Sequence, residues 1–313
     1  MIKQNYIKVF SPATIANVAC GFDIFGIALD NPGDEVEISV NLNSKEIKIV
    51  EITGDNGLLP YDVDKNTVTI SLIEFMKYLN IDIGLDIKIH KKMPFGSGLG
   101  SSAASSVAGV FAFNQMLVNS LPKDMLLPFV VEGEKAVSGS MHADNVAAAL
   151  FGGFIVVKKY PQLKILKVDV KNQYFFSVIH PEVEVKTDDA RKILRKDVKL
   201  EYAINQWGNI AATIIALQTG NNNLLKESLI DVIVEPVRSI FIPEFYNLKD
   251  IAYKNNAISC SISGSGPSVF GIFESEEMAK KTLEEQQNLL KSCGIGSDVY
   301  LANLNSEGPK VIG

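Results

Sequence analysis

Arginine is scarce in this 313-residue chain: only Arg191, Arg195 and Arg238 stand among its 30 basic residues. A general bias toward Lys, Asn and Ile accounts for part of this. Even so, a chain sparing with Arg tends to keep it where a planar, two-pronged donor is needed. No basic run stands out and the formal charge is -6, so nucleic acid and anionic membrane are poor partners. No stretch reaches the ~20 consecutive apolar residues of a membrane span. Cysteine is rare as well. Cys20, Cys260 and Cys293 are far apart and form no CxxC pair, which suggests neither a disulfide framework nor a zinc site. The start, Met-Ile-Lys-Gln-Asn, has no signal-peptide pattern, and the expected location is the cytoplasm.

What is present is ordinary in bulk, with 47% apolar and 21% charged residues, enough for two packed domains. Alternation predicts strands at 6–10, 35–40, 85–89, 154–158, 175–179, 257–262, 268–273 and 298–301. Helical spacing predicts helices at 67–79, 101–118, 123–137, 143–150, 200–218, 223–232 and 276–291. The order lacks the regular βα alternation of a doubly wound sheet and predicts an α+β, two-domain chain. The pattern changes near Tyr160-Pro161-Gln162, which places the domains at 1–165 and 166–313.

Between a strand and a helix lies Pro94-Phe95-Gly96-Ser97-Gly98-Leu99-Gly100-Ser101-Ser102-Ala103-Ala104. Glycine at every second position lets the backbone take positive φ and approach a ligand closely. The helix that follows offers unpaired N–H groups and a positive dipole end, an anion site suited to phosphates. No Gly-Lys-Ser/Thr follows, and residue 101 is Ser where a dinucleotide fingerprint needs Gly. The protein-kinase H-R-D and D-F-G signatures are absent too. Taken alone, the run also fits a serine-capped surface turn.

Two companions narrow the choice. One is Ser11-Pro12-Ala13-Thr14-Ile15-Ala16-Asn17-Val18-Ala19-Cys20-Gly21-Phe22-Asp23, followed by an apolar run in which an unpaired carboxylate would be costly. The other is the Ser263-Gly264-Ser265-Gly266-Pro267 turn between two apolar strands, by itself equally a plain hairpin. In this order the three motifs resemble the GHMP kinases, the superfamily of galactokinase, homoserine kinase and mevalonate kinase. The resemblance spans almost the whole chain. It is nearest to the homoserine kinases through the Asn17-to-Asp23 spacing and the run Ser138-Gly139-Ser140-Met141-His142-Ala143-Asp144-Asn145-Val146-Ala147 before Gly152-Gly153. Met141, Ala143, Ala148 and Cys20 depart from the usual pattern at backbone-shaping positions.

The resemblance implies a GHMP-kinase-like fold, with a ribosomal-protein-S5-domain-2-like ATP-binding half and a ferredoxin-like half. It implies ATP in the cradle 94–104 with Gly264 nearby, and Asn66 and Val68 along the adenine. It implies Mg²⁺ on the Ser102 hydroxyl and the Glu134 carboxylate. Residue chemistry alone does not separate Glu134 from Glu132; the family spacing of eight residues to His142 selects Glu134. His142 itself reads as a structural residue fixing the turn.

The implied substrate is L-homoserine, giving O-phospho-L-homoserine in threonine biosynthesis. Such a zwitterion needs an anion, a bidentate cation and a hydroxyl partner. Asp23 suits the ammonium, with Asn17 and Asn145 as neutral partners. Arg191, in a T-x-x-A-R run from Thr187, and Arg238, after Glu235-Pro236-Val237, suit the carboxylate. Arg195 reads as plain surface charge. No general base is evident: Asn145 stands where mevalonate-type relatives place an aspartate, so the hydroxyl is expected to attack directly and lose its proton late. The alternatives are another GHMP kinase, for mevalonate, a sugar or shikimate, and a silent ligand sensor. The paired arginines with Asp23 count against the first; intact Ser101, Ser102 and Glu134 count against the second. A homodimer is expected from the family alone.

Overall fold

A computed structural model describes residues 2–138, 142–159 and 162–313. Gly139, Ser140 and Met141 of the motif before His142, and Tyr160 and Pro161 at the expected boundary, lie outside the described residues.

The first half runs β1 (Tyr6–Ala16), β2 (Phe25–Asn41), β3 (Ile47–Thr53), α1 (Thr67–Tyr78), β4 (Gly84–His90), α2 (Ser101–Met116), α3 (Lys123–Ser138), α4 (Ala143–Phe151), β5 (Phe154–Lys158) and β6 (Lys164–Val168). The second half runs β7 (Phe175–Pro181), α5 (Thr187–Lys192), α6 (Leu200–Thr219), α7 (Asn222–Ser228), α8 (Glu235–Arg238), α9 (Phe245–Lys254), β8 (Ser259–Ile262), β9 (Val269–Phe273), α10 (Glu276–Ser292), β10 (Ser297–Asn303) and β11 (Lys310–Val311).

The first sheet has the order β11-β1-β2-β4-β3, with β5 on β2 and β6 on β5. Its inner face, with Ile7, Val9, Val36, Ile38, Leu85 and Ile87, packs on Leu72 and Phe75 of α1 and on Val107, Val110 and Phe113 of α2. The second sheet has the order β10-β7-β9-β8, all antiparallel. Together with α10 this is a β-α-β-β-α-β arrangement, the ferredoxin-like pattern. A shared apolar core joins the halves: Ile15, Phe25 and Phe154 pack with Phe176, Val178, Leu217 and Phe270.

Several expectations are corrected. The strands expected at 6–10 and 35–40 are the first part of β1 and the last part of β2, both much longer, because Pro12, Pro32 and Gly33 break the alternation without ending the pairing. The strands β3 and β6 were not expected. Both are sheet edges rich in Lys or Glu, which blunts their apolar pattern. The helix expected at 223–232 stops at Ser228. There the Asp231 carboxylate turns the chain by accepting N–H bonds from Ile233, Val234 and Glu235, each at 2.9 Å. The expected domain division at 165/166 falls inside β6, which is hydrogen-bonded to β5 of the first sheet. The change of sheet comes between Val168 and Phe175, and β11 returns the chain's end to β1.

Candidate functional site

The glycine-rich loop joins β4 to α2, and Gly96, Gly98 and Gly100 all hold positive φ, at 67°, 76° and 68°. Their reasons differ. A Cβ on Gly98 would lie 2.4 Å from the Ser263 carbonyl oxygen, and one on Gly100 would lie 2.0 Å from Thr14 Oγ1. These two glycines admit the other two motifs. Of the three, only Gly96 has a Cβ position that would meet nothing within 4 Å, so this is the loop glycine that leaves room for a ligand. The motifs clamp the loop from both sides: Ser263 Oγ donates to Gly98 O at 2.8 Å, and Thr14 N donates to Leu99 O at 2.9 Å.

Of the run 94–104, Leu99, Ala103 and Ala104 point their side chains into the core, so only their main chain can serve a phosphate. Pro94 and Ser102 reach the surface, as does Phe95. Ser97 is buried, with its carbonyl accepting Ser268 N at 3.2 Å. Gly100 caps α2 without a side chain, which leaves the helix start to an anion.

A buried ion pair lies beneath the loop. The fully buried Asp34 carboxylate contacts Lys91 Nζ and accepts Ser101 Oγ at 2.7 Å, Ser105 Oγ at 2.9 Å and Lys92 N at 2.9 Å. Lys91 also donates to Ser101 O at 3.0 Å and Ser105 Oγ at 2.6 Å. Full pairing makes such a burial tolerable. The Ser101 hydroxyl thus points down into the protein. Sequence reading missed Asp34 and Lys91 because neither belongs to a motif; 57 residues separate them.

Beside the helix start, Ser102 Oγ donates to Glu134 Oε2 at 2.7 Å, and His142 Nδ1 lies 3.4 Å from Glu134 Oε1. Glu134 is buried while Glu132 is exposed. Among the described residues no cluster of three or more His, Cys, Asp or Glu could hold a metal. A Mg²⁺ ion keeps several waters and takes only one or two protein oxygens, and this hydroxyl and carboxylate are oxygen donors of that hard kind.

Asn145 sits on the first turn of α4, where its Oδ1 accepts Thr14 Oγ1 at 2.7 Å. Its neighbour Asp144 is buried and accepts Asn145 N at 3.0 Å. Burial, and then the charge of Asp23, push the Asp144 carboxyl above the usual carboxylate range.

The turn from Asn17 to Asp23 is tightly wound: Asn17, Val18, Ala19 and Asp23 hold φ of 71°, 42°, 55° and 61°. For a β-branched residue such as Val18 this is strain of the kind found at functional sites. Asn17 Oδ1 accepts Asp23 N at 3.0 Å, and its Nδ2 donates to Gly264 O at 2.8 Å. Arg238 Nη1 donates to the same Gly264 O at 3.1 Å, and its Nε to Ala190 O at 2.9 Å. Burial first, and Arg191 second, lower the Arg238 guanidinium to about 10, so it is charged at neutral pH. Thr187 Oγ1 lies 3.3 Å from Ser265 Oγ.

Asp23 has two cationic partners. Arg191 Nη2 donates to its Oδ1 at 3.0 Å, and Lys159 Nζ to its Oδ2 at 3.2 Å. Phe22 lies under both guanidinium groups, 5.0 Å from Arg238 and 6.0 Å from Arg191. Lys159 and Phe22 were missed. Phe22 lay inside a motif and could have been flagged as a platform for arginine, whereas Lys159 carried no signal. Behind the turn, Gln206 Nε2 donates to Cys20 O at 2.8 Å and to Asp231 Oδ1 at 3.0 Å.

Asn66 and Val68 do not line an open slot. Asn66 caps α1, accepting Val68 N at 3.1 Å and donating to Pro60 O at 3.1 Å. Val68 is in the core against α2, where a Cβ on Gly109 would come within 2.6 Å of it. α1 starts at Thr67 as the sequence predicts, and its phase turns Val68 inward, away from the adenine role that the resemblance implied.

Residues 66–153 match the family described as GHMP kinases N terminal domain, and residues 213–290 the one described as GHMP kinases C terminal. A homoserine kinase of Chlorobium phaeobacteroides is 38% identical, with 98% of this chain and 99% of the relative covered. One of Xanthomonas campestris pv. campestris is 32% identical, with 97% and 94% covered. The crystal structure of homoserine kinase from Cytophaga hutchinsonii superposes with a TM-score of 0.96 at 48% identity, covering 100% of this chain and 99% of that one. Mevalonate kinase of L. major, at 13% identity and a TM-score of 0.76 over 98% of each chain, shares the fold.

Proposed function

The chain belongs to the homoserine kinases of the GHMP superfamily, and on that premise we propose how its residues move the γ-phosphoryl group of ATP to the hydroxyl of L-homoserine. The product is O-phospho-L-homoserine, an intermediate of threonine biosynthesis.

Protein residues do little covalent chemistry in phosphoryl transfer; positioning and electrostatics carry the rate. The cradle is the Gly96 side of the loop with the main-chain start of α2. Asp34 and Lys91 hold its underside rigid through Ser101 and Ser105. Ser102 and Glu134 are the residues that hold Mg²⁺, which when bound neutralises charge on the transferring phosphates. The substrate ammonium goes to Asp23. Its carboxylate goes to Arg191 with Arg238, the latter fixed by the Ala190 and Gly264 carbonyls. Thr14 holds the Asn145 carboxamide oxygen, which leaves the amide N–H to orient the reacting hydroxyl. A carboxamide takes no proton at neutral pH, so the proton leaves late, to phosphate or solvent. We assign adenine to the neighbourhood of the α1 start without a side-chain role for Val68.

The observation that carries this reading is the meeting of Asp23, from the first half, with Arg191, from the second, at 3.0 Å. It puts both charges of an amino-acid zwitterion within reach of one another. Release of ADP with Mg-ATP, measured with homoserine, mevalonate, shikimate and galactose, tests it. Turnover of homoserine is expected; turnover of mevalonate or galactose without homoserine overturns it.

The finer organisation is also a proposal. The first domain ends at Val168 and regains β11, and the second starts at Phe175. The location is the cytoplasm, in keeping with Cys20, Cys260 and Cys293 as free thiols. The assembly is a homodimer.

A further inference from the structure

The first turns of α6 invert the usual order of burial. Over residues 200–209 the helix exposes Leu200, Ile204 and Trp207, and the one buried side chain is the polar Gln206. An amphipathic helix ordinarily turns an apolar residue inward at such a position, and a buried amide is tolerated only when its hydrogen bonds are made. Here they are. Gln206 Nε2 donates to Cys20 O at 2.8 Å and to Asp231 Oδ1 at 3.0 Å, and its Oε1 accepts Val232 N at 3.1 Å. Two partners can only accept and the third can only donate. A carboxamide meets this demand; an ionised carboxylate of the same length has no donor, and an ammonium has no acceptor.

The partners belong to opposite sides of the substrate site. Cys20 lies in the strained turn that carries Asn17 and Asp23. Asp231 fixes the start of α8 by accepting Val234 N and Glu235 N, and α8 ends on Arg238. At the front the two sides meet on Gly264 O, which accepts both Asn17 Nδ2 and Arg238 Nη1. Gln206 joins the same two elements from behind. We propose that Gln206 is a positioning residue that sets Asp23 against Arg238 and so selects the hand of the amino acid. The inference rests on the substrate reading, in which Asp23 takes the ammonium and the arginines the carboxylate. With those two groups of one chiral carbon fixed, a single hand turns the hydroxyl arm toward the phosphate loop. Where the turn and α8 shift independently, the other hand gains entry.

The test compares kcat/KM for L- and D-homoserine, together with the KM for ATP, in the native protein and in Gln206→Met. Methionine matches the length of glutamine and makes none of the three bonds. Gln206→Asn keeps the amide on a stem one methylene shorter, which cannot span both partners, and it serves where Gln206→Met fails to fold. In the variant the KM for L-homoserine should rise about tenfold and the preference for L over D should fall about tenfold, short of the ~100-fold cost of a 1 Å misplacement. The KM for ATP should stay at its native value. A merely structural glutamine would lower kcat for both hands alike, so a folded variant that keeps the native L-over-D preference overturns the proposal. A native protein that turns over no L-homoserine overturns the substrate reading, and this inference with it; that failure shows before any variant is made.

Discussion

Arg191 and Lys159 hold the two oxygens of a single carboxylate, Asp23, from the two halves of the protein, at 3.0 and 3.2 Å. On the proposed reading, a substrate ammonium arriving at Asp23 would displace these cations and bring its own carboxylate to receive them. The exchange conserves charge pairs, which is how a partly exposed site discriminates without leaving an ion unpaired.

If this proposal holds, Lys159 contributes to reading the substrate carboxylate. Lys159→Met is expected to raise the KM for homoserine about tenfold, equivalent to about 1.4 kcal/mol, with little change in the KM for ATP. The preference for homoserine over 3-amino-1-propanol, which lacks the carboxylate, should shrink. The preference over 4-hydroxybutyrate, which lacks the ammonium, should be kept. If both preferences fall together, Lys159 serves only to hold Asp23 in place. An unchanged KM in Asp23→Asn would instead sink the whole substrate assignment.

Asn145→Ala removes the group proposed to orient the hydroxyl. Its kcat should fall about 100-fold, the scale of a mispositioned reactant, with a modest change in ATP KM. Steady-state kinetics at saturating homoserine checks this, and near-normal turnover would refute the role.

The three loop glycines should respond differently to alanine. At Gly96 the only penalty is a left-handed backbone, roughly 1–2 kcal/mol, so Gly96→Ala should fold and show a raised KM for ATP. At Gly98 and Gly100 the new methyl also meets the Ser263 carbonyl or Thr14, adding about 1–3 kcal/mol of overpacking. Urea unfolding midpoints should fall more for Gly98→Ala and Gly100→Ala than for Gly96→Ala.

The pH dependence of stability has a contribution from Asp144. Its folded-state pKa is raised, by burial first and by Asp23 second. The folded protein therefore holds a proton that the unfolded chain releases above an ordinary carboxylate pKa of about 4. Stability from this group is complete below that pH and is lost as pH rises toward the folded-state pKa. Asp144→Asn keeps an oxygen for Asn145 N and removes the titration. The stability of the variant relative to the native protein should grow as pH increases from about 4. Urea unfolding across that range measures it, and a pH-independent difference contradicts the assignment.

Motif residues were legible because their chemistry is local. The glycines announced a turn with positive φ, Ser102 opened a helix, and two of three arginines stood in recognisable runs. The choice of Glu134 over Glu132 was legible only through family spacing; in the structure burial separates them. Val68 was misplaced because its adenine role rested on the resemblance alone, while the helix that starts at Thr67 turns it into the core. Lys159, Lys91 and Asp34 were invisible, since a single charged residue in a strand or loop has no pattern until its partner is known.

By itself, then, the sequence determined the three motifs, the order of most strands and helices, and the main-chain character of the phosphate loop. These depend on glycine conformations and on periodicity over a few neighbouring residues. The tertiary structure decided which glycines admit protein and which leaves room for a ligand, that Asp23 stands between two cations, and that burial pushes the Asp144 carboxyl above the usual carboxylate range. Those properties are sums of contact and charge over residues more than a hundred positions apart, such as Asp23 with Lys159 and Arg191. Only the folded chain brings them within a few ångströms.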